Sequence, residues 1–402
     1  MRGLVTGSVL FYVQHLLGIG HLRRALHLVE AMTLDGLAVT LVSGGLPLPE
    51  LADAKAERVV QLTPIRARDS SFKELIDADG QPIDDALRAK RRHVLLETFA
   101  MAQPDAVIIE AFPFGRRAFR YELEPLIDAA RARRPRALVL CSVRDIVIVP
   151  EDRQRQSDAV ARVRAGFDAV LVHGDPKLIR LEASFPAADQ IADWLVYTGY
   201  VGAPDQPGDA KDGEGADEVL VSAGGGAMGA PLLTAALAAR RLGCLADLGW
   251  RLLAGPNLPA AQFAAFSADL PERVVLERYR SDFPQMLRRC RVSVSQAGYN
   301  TVLDILAARA AAVVVPFADM RETEQTLRAE RLAACGVVEM VASSVLSPER
   351  LAQAIERASL RPPTALAVDT AGAGRTAQLV AGLIGAGPAS SQRVSEFRNS
   401  AE

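Results

Sequence analysis

Apolar and polar positions along this chain follow two alternating periods. Short, nearly continuous apolar runs recur at VLFYV (9–13), AVTLV (38–42), RVVQL (58–62), AVII (106–109), ALVL (137–140), AVLV (169–172) and WLVY (194–197). Between most of them apolar residues return three and four positions apart. Runs of this kind read as strands buried on both faces and the intervening segments as amphipathic helices, which predicts a parallel α/β sheet. The alternation stops at residues 202–216, GAPDQPGDAKDGEGA, where Gly, Pro and Asp replace any periodic apolar position and a linker is expected. It restarts at EVLVS (218–222), WRLLA (250–254), RVVLE (273–277), VSVS (292–295), AVVV (312–315) and VVEMV (337–341). The pattern predicts two doubly wound domains, 1–201 and 217–387, and a polar, aperiodic, disordered tail at 388–402. In such domains the loops after the strands carry the binding residues, and two facing domains would share one cleft.

Composition narrows the functions available. A chain of 402 residues is long enough for two cores, and a formal charge of -2 gives it no overall attraction for nucleic acid. Of the 46 basic residues only five are Lys, so arginine is background here and clusters of it carry little weight as site evidence. Cys141, Cys244, Cys290 and Cys335 are far apart and form no CxxC pair, which argues against a zinc site or a disulfide framework and for reduced, buried thiols. There is no apolar run of membrane-spanning length and no signal-like amino terminus, so a cytoplasmic protein is expected.

Three segments of the second half carry chemistry. The strand EVLVS runs into AGGGAMGAPLL, where Gly224, Gly225 and Gly226 permit positive φ and close backbone approach at the start of a helix expected near Ala227. A helix amino end presents N–H groups and positive charge, which suits a phosphate or diphosphate. The letters also fit GxGxxG, but the following strand ends LLAGPN without the acid a dinucleotide site requires, and an empty tight turn is a further reading. In VSVSQAGYNTVLDIL (292–306), Asn300 and Asp304 share one face of a helix and suit two vicinal hydroxyls such as those of a ribose. They could equally cap the helix and favour its positive end. In PFADMRETEQTLRAERL (316–332), Glu324 and Gln325 fall in a first helical turn, where they could bond sugar hydroxyls or simply face water.

Taken together, the Gly-rich loop, SQAGYNTVLD and PFADMRETEQTLRA resemble the donor half of the GT-B glycosyltransferases. The likeness is greatest to the peptidoglycan lipid II N-acetylglucosaminyltransferases, with their glycosyltransferase family 28 C-terminal domain, and looser to the UDP-glycosyltransferases. It is nearly gapless from about Val274 to Ala329. The resemblance implies two Rossmann-like domains facing a cleft and a nucleotide sugar, a UDP-hexose or UDP-N-acetylhexosamine, as co-substrate in place of a cofactor. It implies that the backbone at Arg280 reads the base, that Gly298, Tyr299, Asn300 and Thr301 line the diphosphate and sugar, that Asp304 takes the ribose, and that Glu324 and Gln325 hold the hexose. Glu324 stands where the family usually has Gln or Asp, and Arg328 where it has Asn.

The first half has a matching loop. After VLFYV comes QHLLGIGHLRRALHLVEAM, in which Gly18, Gly20 and His21 open a helix. A helix amino end disfavours imidazolium, so His21 should stay neutral and able to accept a proton. Glu110, at the end of the strand in PDAVIIEAFPFGRR, falls in the same layer, and by the resemblance an acid there orients the base; Asp145, in VLCSVRDIVIVP, is the other candidate. The implied reaction is an inverting, metal-independent transfer from the nucleotide sugar to an acceptor hydroxyl, the acceptor a lipid-linked molecule if it follows the relatives, which would bring the protein to the inner membrane face. A nucleotide-sugar hydrolase or epimerase, or a non-catalytic sugar-nucleotide sensor, would show the same donor motifs. No motif of the sequence specifies an oligomeric state.

Overall fold

The computed structural model describes residues 7–16, 19–69, 74–147, 152–202, 214–224, 229–243, 245–317, 324–361 and 368–386. The chain divides into two compact units, one formed by Met1–Pro204 with Asp369–Glu402 and the other by Asp205–Val368.

The first unit contains β1 (Gly7–Val13), α1 (Gly20–Leu34), β2 (Leu37–Ser43), β3 (Arg58–Gln61), β4 (Arg66–Ala67), β5 (Leu75–Ile76) and α2 (Asp85–Ala102). It continues with β6 (Ala106–Glu110), α3 (Arg120–Ala132), β7 (Leu138–Arg144), α4 (Arg153–Gly166), β8 (Ala169–His173) and β9 (Leu195–Tyr197). Its main sheet is parallel in the order β3-β2-β1-β6-β7-β8-β9. The runs on β1, β2, β6, β7 and β8 are nearly continuous because both faces of these strands are buried, whereas the edge strand β3 is largely exposed. Val9, Phe11 and Val13 point to the side of α1, and Leu10 and Tyr12 to the side of α2 and α3.

The second unit contains β10 (Val219–Ser222), α5 (Ala230–Arg241), β11 (Trp250–Leu253), α6 (Ala260–Ser267), β12 (Val274–Glu277), α7 (Phe283–Leu287) and β13 (Val292–Ser295). After these come α8 (Tyr299–Ala308), β14 (Ala312–Val314), α9 (Glu324–Ala334), β15 (Glu339–Met340) and α10 (Pro348–Leu360). Its parallel sheet has the order β12-β11-β10-β13-β14-β15. In each sheet the chain reverses its direction of travel once, between β1 and β6 and between β10 and β13, and the crevice outside such a reversal is where open α/β sheets bind ligands.

The expected boundary at residue 387 is corrected by the last described helix, α11 (Gly372–Ala386), which belongs to the first unit. Ala377, Leu379, Val380 and Leu383 of α11 are buried in one cluster with Leu22, Leu28 and Val29 of α1. Burial of that apolar face, worth about 1.5–3 kcal/mol for each large side chain, draws the helix back. The thiols also depart from expectation: Cys141 is buried, but Cys290 is half-buried and Cys335 exposed. Most of the expected linker, the tail 388–402 and Cys244 lie outside the described residues.

Candidate functional site

At the first reversal, the loop after β1 leads to His21, second residue of α1, and β6 ends at Glu110. The structure brings these two together: His21 Nδ1 lies 2.7 Å from Glu110 Oε1. Arg24, one turn along α1, donates to the same carboxylate oxygen. His21 retains 22% side-chain exposure while Glu110 and Arg24 have 1% each, so only the imidazole of this trio is open to an incoming group. An ionised carboxylate only accepts, so the geometry assigns the proton to Nδ1 and the lone pair to Nε2.

Electrostatics favours the neutral imidazole. Burial lowers the His21 pKa to about 4; Glu110 opposes the shift, while Arg116 and Arg144 reinforce it. Burial alone would raise the Glu110 pKa, but the His21 and Arg24 charges hold it well below the usual carboxylate range. Because Arg24 already matches the Glu110 charge, little negative potential remains to hold a second proton on the ring. Glu110 Oε2 is buried and has no hydrogen-bond partner among the described residues. The loop that follows β6 is bent sharply, with Ala111 (φ 66°) and Arg116 (φ 57°) in the left-handed region. Arg116 Nε donates to the Gln14 carbonyl at 2.6 Å and so ties this loop to the one after β1.

Asp145 is not on His21. Its carboxylate accepts from the Ile146 N–H at 2.9 Å and the Tyr200 hydroxyl at 3.2 Å. Gly20 begins α1, and Gly18 lies outside the described residues. Sequence reasoning missed Arg24, Arg116 and Arg144. The available signal was the three-residue spacing of His21 and Arg24 on one helix face. It also gave no setting for His173, which is fully buried, with Nε2 2.9 Å from Ser142 Oγ and Nδ1 2.8 Å from Thr198 Oγ1, and which burial pushes down to about 3.

The second reversal is built from backbone and small residues. Gly224 follows β10 with φ +67°, and a Cβ there would stand 3.4 Å from Gln296 Oε1, so the loops after β10 and β13 adjoin. Gly225 and Gly226 lie outside the described residues. Gly229 caps α5 where a Cβ would meet the Ala223 Cβ at 2.3 Å, which makes this glycine a packing requirement. Gly298 is the N-cap of α8, no side chain caps that helix, and nothing lies within 4 Å of a Cβ built on Gly298. Asn300 is therefore not the cap. Asn300 and Thr301 present first-turn N–H groups that have no intrahelical carbonyl to meet. Asp304, half-buried, sits one turn further in.

Glu324 is 5% exposed, and its Oε1 accepts from Arg328 Nη2 at 2.8 Å. Gln325 Oε1 accepts from the Phe317 N–H at 3.0 Å. The Arg280 side chain is committed to Asp282 through two 2.8 Å bonds, to Glu214 at 2.7 Å and to Glu277 at 3.3 Å. Hydrogen bonds to those acids raise its pKa further above the ordinary arginine range. Among the described residues no group of three His, Cys, Asp or Glu is placed to hold a metal ion, and no helix is long and apolar enough to cross a membrane.

Residues 220–382 match the glycosyltransferase family 28 C-terminal domain. A UDP-N-acetylglucosamine–N-acetylmuramyl-(pentapeptide) pyrophosphoryl-undecaprenol N-acetylglucosamine transferase from Brucella anthropi is 34% identical over 122 residues, 29% of this chain and 32% of that protein. The matched stretch thus spans about a third of this curated relative. Over nearly its whole length the chain superposes on the calicheamicin glycosyltransferase CalG4, with TM-score 0.61, 18% identity and coverage of 97% and 98%. It also superposes on MurG of Acinetobacter baumannii, with TM-score 0.57, 17% identity and coverage of 98% and 99%. These likenesses establish the fold, two Rossmann-like domains of the GT-B type.

Proposed function

We propose that this chain, a GT-B protein whose second half matches the family 28 C-terminal domain, is a hexosyltransferase that moves a sugar from a nucleotide sugar to an acceptor hydroxyl. The observation that carries the reading is that the matched segment contains the β10/β13 reversal, where Gly224 and the uncapped amino end of α8 offer backbone N–H groups to a diphosphate. The donor is a UDP-hexose or UDP-N-acetylhexosamine, in keeping with the UDP-N-acetylglucosamine of the Brucella protein's name. Asp304 takes the ribose hydroxyls, and Glu324 and Gln325 the sugar.

The first unit supplies the base. Neutral His21, oriented through Nδ1–H by Glu110, takes the acceptor's hydroxyl proton on Nε2. The Glu110 hydrogen bond holds the ring in place as the proton arrives. The acceptor oxygen attacks the anomeric carbon as the nucleoside diphosphate leaves, which inverts that centre. Helix amino ends and backbone N–H groups carry the departing charge, so no step calls on a metal. We take the acceptor to be carried on a lipid, as the pyrophosphoryl-undecaprenol in the relative's name states for that enzyme, and the protein to work at the inner membrane face.

The test is a thermal-shift screen against UDP-, TDP- and GDP-sugars, followed by UDP release with and without acceptors. A donor at 100 times its Kd stabilises by about 2.7 kcal/mol. UDP release that needs an acceptor supports transfer; equal release into water alone marks a hydrolase, and no shift with any nucleotide sugar sinks the reading.

A further inference from the structure

Arg328 projects from α9 one turn after Glu324, and only 1% of its side chain is exposed. A guanidinium removed from water must place its donors on partners inside the protein. One Arg328 nitrogen meets Glu324 Oε1 at 2.8 Å, and the other meets the Ala297 carbonyl at 3.3 Å. The group also lies 5.4 Å from the centre of the Tyr299 ring, within cation–π range. Ala297 and Tyr299 flank Gly298, the cap of α8. One buried side chain therefore touches both the residue that opens α9 and the turn that opens α8, and the two helices follow neighbouring strands of the sheet.

A second contact completes the attachment. The Phe317 N–H fixes Gln325 by its carbonyl oxygen, because an N–H can only meet the acceptor end of the amide. The Gln325 NH2 is left to donate elsewhere, whereas the Glu324 carboxylate has only acceptors to offer. Adjacent side chains at the start of α9 thus carry opposite hydrogen-bonding characters.

We propose that Arg328 is a positioning residue for donor recognition. It holds Glu324 against the diphosphate turn so that sugar and diphosphate are read as one rigid unit, and it commits the Glu324 site to a sugar group that donates a hydrogen bond. The inference rests on the nucleotide-sugar reading of the second unit. The Asn that the family resemblance leads one to expect has no charge and a much shorter reach, so this device belongs to the present chain.

The experiment is calorimetric titration of the full chain with UDP and with the better bound of UDP-N-acetylglucosamine and UDP-glucose. The readout is the ratio of the two affinities, which a general loss of stability does not move. Arg328→Met should lower the preference for the nucleotide sugar over UDP by about ten- to a hundredfold, the loss of one charge-assisted hydrogen bond. Arg328→Lys should lower it less, because an ammonium keeps the charge without the two-armed geometry. Glu324→Gln should lower it similarly, and adding Arg328→Met to Glu324→Gln should change it no further, the signature of residues that act as one. If Arg328→Met does not fold, Arg328→Lys and the double variant, which removes both charges together, carry the test. Folded variants that keep the wild-type ratio, or that lose both ligands equally, overturn the role of Arg328. A wild-type protein that binds neither nucleotide sugar overturns the donor reading and the inference with it.

Discussion

The two sheet reversals use opposite materials at the same place in the fold. The first is made of charged side chains brought from afar: Glu110 meets Arg24 and His21 across 86 and 89 residues of sequence. The second is made of backbone, from Gly224, Gly229 and Gly298 and the helix ends beside them. Side chains can gain and lose protons, whereas backbone dipoles cannot; they offer fixed partial charge with no reorganisation. Under the proposed function, proton movement falls to the first unit and diphosphate binding to the second, and variants should separate along the same line.

The largest effect is expected at His21. His21→Ala should lower kcat by about 10²–10⁴-fold while the Kd for UDP-sugar, measured by calorimetry, stays within about threefold. A parallel loss of donor binding would blur the division between the units. Next comes Glu110→Gln, which keeps the shape but leaves the buried Arg24 charge without its match. Breaking a buried pair in this way costs about 3–5 kcal/mol. Thermal unfolding should show the loss in the transition of the first unit alone.

A pH series sharpens the comparison further. His21 falls from its ordinary 6.5 to about 4 on folding, so between those values the unfolded chain binds a proton that the folded one refuses. Stability should be level above pH 6.5 and decline as pH falls from 6.5 towards 4, by about 3 kcal/mol at most from this residue. His173, pushed down to about 3, adds to the same acid loss. The acid limb of kcat/KM should appear near pH 4, well below the limb of an ordinary histidine. The smallest effect is expected in the second unit, where Asp304→Asn should weaken UDP by about 1.5–3 kcal/mol and leave the acid limb where it was.

The same contrast decides what could be read in advance. The thirteen apolar runs of the sequence all fall on strands, the central ones because a strand covered on both faces has no exposed positions to interrupt the run. The glycine turns of the second unit were legible for a related reason: such a turn and the helix after it are contiguous in sequence. The first site was half legible. His21 and Glu110 each stand out as polar residues where a strand gives way to a loop, but nothing local announces that Arg24 neutralises one and leaves the other uncharged. Arginine is so frequent in this chain that neither Arg24 nor Arg328 could be singled out without its partners. The destination of α11 was hidden for a different reason. The apolar face formed by Leu379, Val380 and Leu383 would suit either sheet, and an amphipathic helix carries no address.

That helix also bears on the order in which the protein assembles. A ribosome releases about 5–20 residues per second, and domains generally fold as they emerge. Here the unit that begins first is completed last. Part of its α1 surface waits on the order of ten seconds or more while the whole second unit is made, until α11 arrives to pack on it. During that interval the nascent chain exposes an apolar stripe beside a nearly finished sheet, the kind of surface a chaperone would hold.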